Sequence, residues 1–144
     1  MKPRILFVED EPEYFGPLIE ALQKGYQLER AEDLTEAVEI LSAEDFALII
    51  VDIMLPIGTG EFPGIDNRRS GVHLIRLVRK KPPDREIELK CRQDVRILAL
   101  TAVSDLSVQD DLKALNVPMV PKPFSVRAVL ERIANMLKEV HSAS

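Results

Sequence analysis

Five side chains able to do phosphate or metal chemistry each follow a short apolar run: Glu9 and Asp10, then Asp52, then Thr101, then Lys122. Carboxylates brought together repel one another, and a hard divalent cation relieves the repulsion while finding oxygen ligands. Mg²⁺ suits such a site, because it accepts a few carboxylates and keeps its other places for water and phosphate oxygens. The same ion would shield an approaching phosphate, Lys122 would neutralise a second phosphate oxygen, and the Thr101 hydroxyl would hydrogen-bond a third. Asp52 is then a candidate nucleophile, and its attack on a phosphoryl donor gives an aspartyl-phosphate. The plainer reading, solvated turn acids, accounts for Glu9, Asp10 and Glu11 taken alone. It does not account for a further acid and an amine at two other strand ends.

The elements that must position these groups are legible from periodicity. Continuous apolar runs at Ile5 to Val8, Ala47 to Val51 and Val95 to Leu100 predict strands buried on both faces, hence a parallel sheet. Tyr26 to Arg30 and Val117 to Val120 complete five strands, with Pro118 placing the last at an edge. Helical stripes are predicted over Pro12 to Lys24, Leu34 to Ser42, Val72 to Lys80, Asp105 to Leu115 and Ser125 to about Glu139. Gly25, Asp33 and Ser125 are the expected caps. Strict alternation with right-handed crossovers implies an α/β doubly wound sheet, flavodoxin-like with order 2-1-3-4-5 and helices on both faces. In that order the first and third strands are neighbours, so their acids meet at the switch point, outside the carboxyl ends of the strands.

At 144 residues, 46% hydrophobic and 30% charged, the chain fits one domain with a core of its own and no need of disulfides. Its net charge of -5 offers no basic field for nucleic acid or an anionic membrane. No apolar run spans a bilayer or forms a signal-peptide core, and the single cysteine, Cys91, suits a reducing, cytoplasmic setting as an inert thiol. Two segments, Ile57 to Ser70 and Pro82 to Asp94, exceed ordinary α/β connections and are expected as insertions, with 141–144 a flexible tail. Gly58, Gly60 and Gly64 in the first insertion lack a following Gly-Lys-Ser/Thr, so they are read as turn residues of a mobile flap, not as a phosphate cradle. The second insertion reads as a solvated excursion, and neither His73 nor His141 is assigned a role.

Four segments, Ile5-Leu6-Phe7-Val8-Glu9-Asp10-Glu11-Pro12, Val51-Asp52-Ile53-Met54-Leu55-Pro56, Leu100-Thr101-Ala102 and Pro121-Lys122-Pro123-Phe124, occur in order at strand ends. Together they resemble the receiver domains of bacterial response regulators across nearly the whole chain, residues 1–144 as one stand-alone domain. The resemblance implies that Asp52 is the phosphoacceptor and that Asp10, Asp52 and the Met54 backbone carbonyl bind Mg²⁺ or Mn²⁺ directly, with Glu9 acting mainly through water. It further implies that Lys122 contacts the phosphate, that Thr101 moves to meet it, and that the Lys122-Pro123 peptide is cis. The donor would be a histidine kinase or phosphotransfer protein, and the output docking onto another protein, onward transfer of phosphate, or self-dimerisation through the fourth and fifth helices. The implied activity is self-directed phosphotransfer with slow dephosphorylation, not enzymatic turnover of a separate substrate.

The chain departs from the family pattern in two ways. Met119 stands where many receivers carry an aromatic residue, which predicts a less sharply two-state response. Met54 and Val103 are apolar where the path of attacking water is flanked, which predicts slow self-dephosphorylation. A receiver-like binding module that signals without phosphate is the alternative, but the expected loss of acceptor, metal acid or lysine is absent. A dinucleotide enzyme would need Gly-x-Gly-x-x-Gly after the first strand, and a dehalogenase-type enzyme its nucleophilic aspartate there with a second acid two residues on.

Overall fold

The computed structural model describes residues 2–60, 62, 65, 67–80, 88–102 and 105–142. Gly64, residues 82–87 of the second predicted insertion, Val103 and residues 143–144 lie outside them. The strands are β1 Arg4–Val8, β2 Gln27–Ala31, β3 Leu48–Asp52, β4 Arg96–Ala102 and β5 Met119–Lys122, all parallel in the order β2-β1-β3-β4-β5. The helices are α1 Pro12–Gly25, α2 Leu34–Ala43, α3 Ser70–Arg79, α4 Leu106–Ala114 and α5 Val126–Ser142, with a 3-10 turn at Asn67–Arg69. This is the predicted doubly wound fold.

Alternation along the strands feeds two cores. Leu6, Val8, Ile49 and Val51 face one side with Leu41, Val72, Ile75 and Leu112. Ile5, Phe7, Leu48 and Ile50 face the other with Phe15, Leu18, Ile133 and Met136. All five residues of β3 are buried, whereas β5 has none fully buried, as an edge strand allows. Cys91 lies in the first core, and burial pushes its thiol up to about 11, so it stays protonated near neutral pH.

Element ends differ from the sequence reading by one to three residues, and hydrogen bonding accounts for the shifts at β2 and β5. The Tyr26 N–H donates to Leu22 O to close α1, so β2 begins at Gln27 and Gly25 is the last helical residue, not a left-handed cap. Val117 is taken by α4, its N–H donating to Leu112 O while Asn116 adopts φ 58, an Asn-terminated helix end, so β5 starts at Met119. Asp33 caps α2 by accepting from Glu36 N at 2.7 Å, Asp105 caps α4 by accepting from Val108 N at 3.1 Å, and Ser125 accepts from Ala128 N at 3.3 Å. Helix α5 runs through His141 and Ser142, two residues into the segment expected as a tail.

The start of the first predicted insertion is tied down. Leu34 N and Thr35 N, unpaired donors of the first turn of α2, donate to Pro56 O and Ile57 O at 2.9 and 3.0 Å. The Thr35 hydroxyl donates to Ile57 O at 2.6 Å and accepts from Gly60 N at 2.8 Å. Gly58, at φ 86, is the turn glycine expected there, and residues 57–60 form a loop docked on α2.

Candidate active site

Asp52 is the last residue of β3 and is 1% exposed. Two strands away, Lys122 ends β5, and its Nζ donates to Asp52 Oδ1 at 3.0 Å. Burial raises the pKa of the Asp52 carboxyl; Lys122 and a Met54 backbone hydrogen bond pull it back down, and Glu11 adds to the rise. The lysine thus favours the charged form of a carboxyl that burial disfavours at the edge of an apolar core. The Lys122-Pro123 peptide is cis, as the resemblance implies.

Thr101, 2% exposed, stands on β4 between these strands, paired in register with Pro121. Its hydroxyl is 3.4 Å from Ala102 O. The structure therefore places Thr101 on the strand beside Asp52, with its hydroxyl directed to Ala102 O. Met119, half-buried, packs against the core on the α2, α3 and α4 side. Met54 projects its side chain outward, 53% exposed.

Glu9 and Asp10 part company. Asp10 is exposed, while Glu9 is fully buried with both carboxylate oxygens engaged: Oε2 accepts from Glu11 N at 2.7 Å, and Oε1 from Arg30 Nε at 2.8 Å and from Arg30 Nη2. Among the described residues no group of three acids, histidines or cysteines is gathered closely enough to cage a metal. Mg²⁺ does not require that: one or two carboxylates, a carbonyl and waters satisfy it. By donor type Asp10, Asp52 and the Met54 carbonyl, the ligands that the resemblance implies, suit that demand, while Glu9 is held by Arg30.

Three residues that support the strand ends around Glu9 and Asp52 were missed by the sequence reading. Arg30 is the penultimate residue of β2, paired in register with Phe7, and it supplies the counter-charge to Glu9. Ser70 Oγ donates to Leu55 O at 2.5 Å and accepts from Leu55 N at 3.0 Å, pinning the loop that leaves Asp52. At Gly71 any Cβ would lie 2.6 Å from Ile53 Cα and 2.9 Å from Asp52 O, and its N–H donates to Ile53 O at 2.9 Å. Only glycine lets α3 start so close to the acceptor strand. The available signal was Ser-Gly opening a helical stripe; the sequence reading instead began that helix at Val72.

The fold agrees with known proteins. The family model described as the response regulator receiver domain matches residues 5–134. The sensor histidine kinase TmoS of Ectopseudomonas mendocina is 26% identical over 94% of this chain, which spans only 12% of that protein. The response regulator receiver protein CpdR of Brucella abortus is 26% identical over 93% of this chain and 96% of its own length. Among solved structures, the non-phosphorylated HemR receiver domain of Leptospira biflexa superposes with a TM-score of 0.71 at 28% identity, covering 94% of both chains. Receiver domains are signalling modules of two-component systems, and this chain belongs to the response regulator receiver domain family.

Proposed function

We propose that this receiver accepts a phosphoryl group on Asp52 from the phosphohistidine of a histidine kinase or phosphotransfer protein, and passes the signal on by protein docking. The observation that carries the reading is the buried Asp52 held at 3.0 Å by Lys122. Lys122 occupies Oδ1, leaving Oδ2 to attack phosphorus; the P–O bond forms as the P–N bond breaks, and the electron pair returns to the imidazole nitrogen. The lysine ammonium can then follow the new charge onto a phosphoryl oxygen, and the Thr101 hydroxyl can turn to another. Asp10 and Asp52, with the Met54 carbonyl, would hold the Mg²⁺, which when bound neutralises charge on the equatorial oxygens. Glu9, held by Arg30, would act on the ion mainly through water.

Other observations support partner docking around this site. Tyr14, Met54 and Leu106 are large apolar side chains exposed by 47%, 53% and 70%, on segments that leave the carboxyl ends of β1, β3 and β4. Tyr14 also meets Phe124, after β5, edge-to-face at 6.1 Å. The apolar Met54 offers no hydrogen bond to water, which supports a long-lived phosphoryl state. Among the described residues no helix is long and apolar enough to cross a membrane, and the reading places the protein in the cytoplasm.

The test is intact mass after incubation with Mg²⁺ and acetyl phosphate, for the wild type and Asp52→Asn. One added phosphoryl group, absent in the variant and without Mg²⁺, is the expected result. No gain in the wild type, even with phosphorylated kinase as donor, would point to a phosphate-independent binding module.

A further inference from the structure

The opposite end of the sheet carries a cleft that phosphotransfer does not use. It has a volume of about 630 Å³, within the range of small-ligand sites, and lies where β4 and β5 begin. Arg79, Arg96, Lys113 and Arg132 line it, with Asp94 the single acid among the described residues that line it. These cations come from α3, β4, α4 and α5, so four separate elements aim positive charge at one space on a chain of net charge -5. Among the described residues Arg96, Lys113 and Arg132 form no ion pair. Asn116 and Asn135 add amide donors, and Val117 and Met136 form an apolar floor.

Arg79 is fixed in place. Its Nη1 donates to Gln93 O at 2.6 Å, and Gln93 Nε2 donates back to Arg79 O at 2.8 Å. Burial lowers the Arg79 pKa; Asp94 offsets that drop, and the neighbouring Arg96 adds to it by repulsion. Among the described residues these four cations have only Asp94 to balance them, and an anion in the concavity would relieve their mutual repulsion.

We propose that this cleft binds a small polyanion carrying two or more phosphate groups. Guanidinium forks match phosphate oxygens in pairs, and three arginines with one lysine can share the oxygens of a di- or triphosphate. The cleft size favours a compact ligand over an extended acidic chain. The site is separate from Asp52: Thr101, beside the acceptor, is five residues along β4 from Arg96, roughly 16 Å at the rise of a parallel strand.

The experiment is a titration of the ¹⁵N-labelled chain with sodium tripolyphosphate in EDTA, which keeps metal from the Asp52 site. Saturable amide shifts at Ile97, Asn116 and Val117 are expected, weakening at least about tenfold in Arg96→Gln/Arg132→Gln as two of four charges go. Lys113→Gln, on a different element, should weaken binding independently. The double variant should still take up phosphate from acetyl phosphate, which shows an intact fold. Absence of saturable shifts, shifts clustered at Asp10, Asp52 and Lys122, or affinity unchanged in both variants would each overturn the proposal.

Discussion

The two ends of the sheet handle charge in opposite ways. At the carboxyl ends of the strands the acids sunk in the core, Glu9 at 0% and Asp52 at 1% exposure, are each met by a cation of the chain, Arg30 and Lys122. At the amino ends of β4 and β5, four cations share a water-accessible cleft with a single acid among the described residues. A buried acid cannot stay ionised without a partner, so the first end must carry its own counter-charges. A solvated cation pays little for being unpaired, so the second end can leave its charges for something else to meet. Removing a charge should therefore be costly at one end and nearly free at the other.

The largest effect is expected from Arg30→Met. It leaves the buried Glu9 carboxyl with only the Glu11 N–H, and breaking such a pair costs about 3 kcal/mol, the low end of the range because Arg30 is partly exposed. Urea unfolding in EDTA measures it, and adding Glu9→Gln should recover much of the loss. A loss below about 1 kcal/mol for Arg30→Met would mean that water reaches Glu9 and that the contrast between the ends is weaker than the structure implies.

Backbone support at the acceptor end comes next. Gly71→Ala forces a methyl to 2.6 Å from Ile53 Cα, where backbone must give way, and overpacking of this kind costs about 2 kcal/mol. Because the strain falls on the residue after Asp52, the rate of acetyl phosphate uptake should drop along with the urea midpoint. An unchanged rate with lowered stability would separate the two. Ser70→Ala strands the Leu55 N–H and C=O, both otherwise bonded to the hydroxyl, for about 1–2 kcal/mol by urea unfolding.

These supports also mark where sequence reasoning stops. The strand order and the convergence of Asp52 and Lys122 were legible because buried parallel strands write continuous apolar runs, and a strand end is one residue wide. Arg30 was illegible because its charge matters only once β2 lies beside β1 and turns it toward Glu9. Ser70 and Gly71 sit in what reads as a loop, and their roles arise from contact with residues 15 or more positions away in sequence. The basic cleft was illegible for the same reason: Arg79, Arg96, Lys113 and Arg132 are spread over four elements among 43 charged residues, 19 basic and 24 acidic, and only the fold gathers them. Local pattern reveals elements and their ends, while what crosses between elements waits for the structure.

The smallest stability change is expected where charge is most concentrated. Arg96 is half-buried and Arg132 exposed, neither forms an ion pair among the described residues, and Arg96 repels Arg79. Arg96→Gln/Arg132→Gln should therefore shift stability by less than about 0.5 kcal/mol, with relief of repulsion setting a stabilising sign. Salt sharpens the point. Raising ionic strength screens the same repulsion, so the gain from the double substitution should shrink in high salt, while the Arg30→Met loss, carried by a buried carboxylate, should persist. Parallel urea titrations at low and high salt read both. A double variant destabilised by more than about 1 kcal/mol would show that these arginines already hold the fold together, and would remove the distinction between an end built to balance its own charge and an end built to receive one.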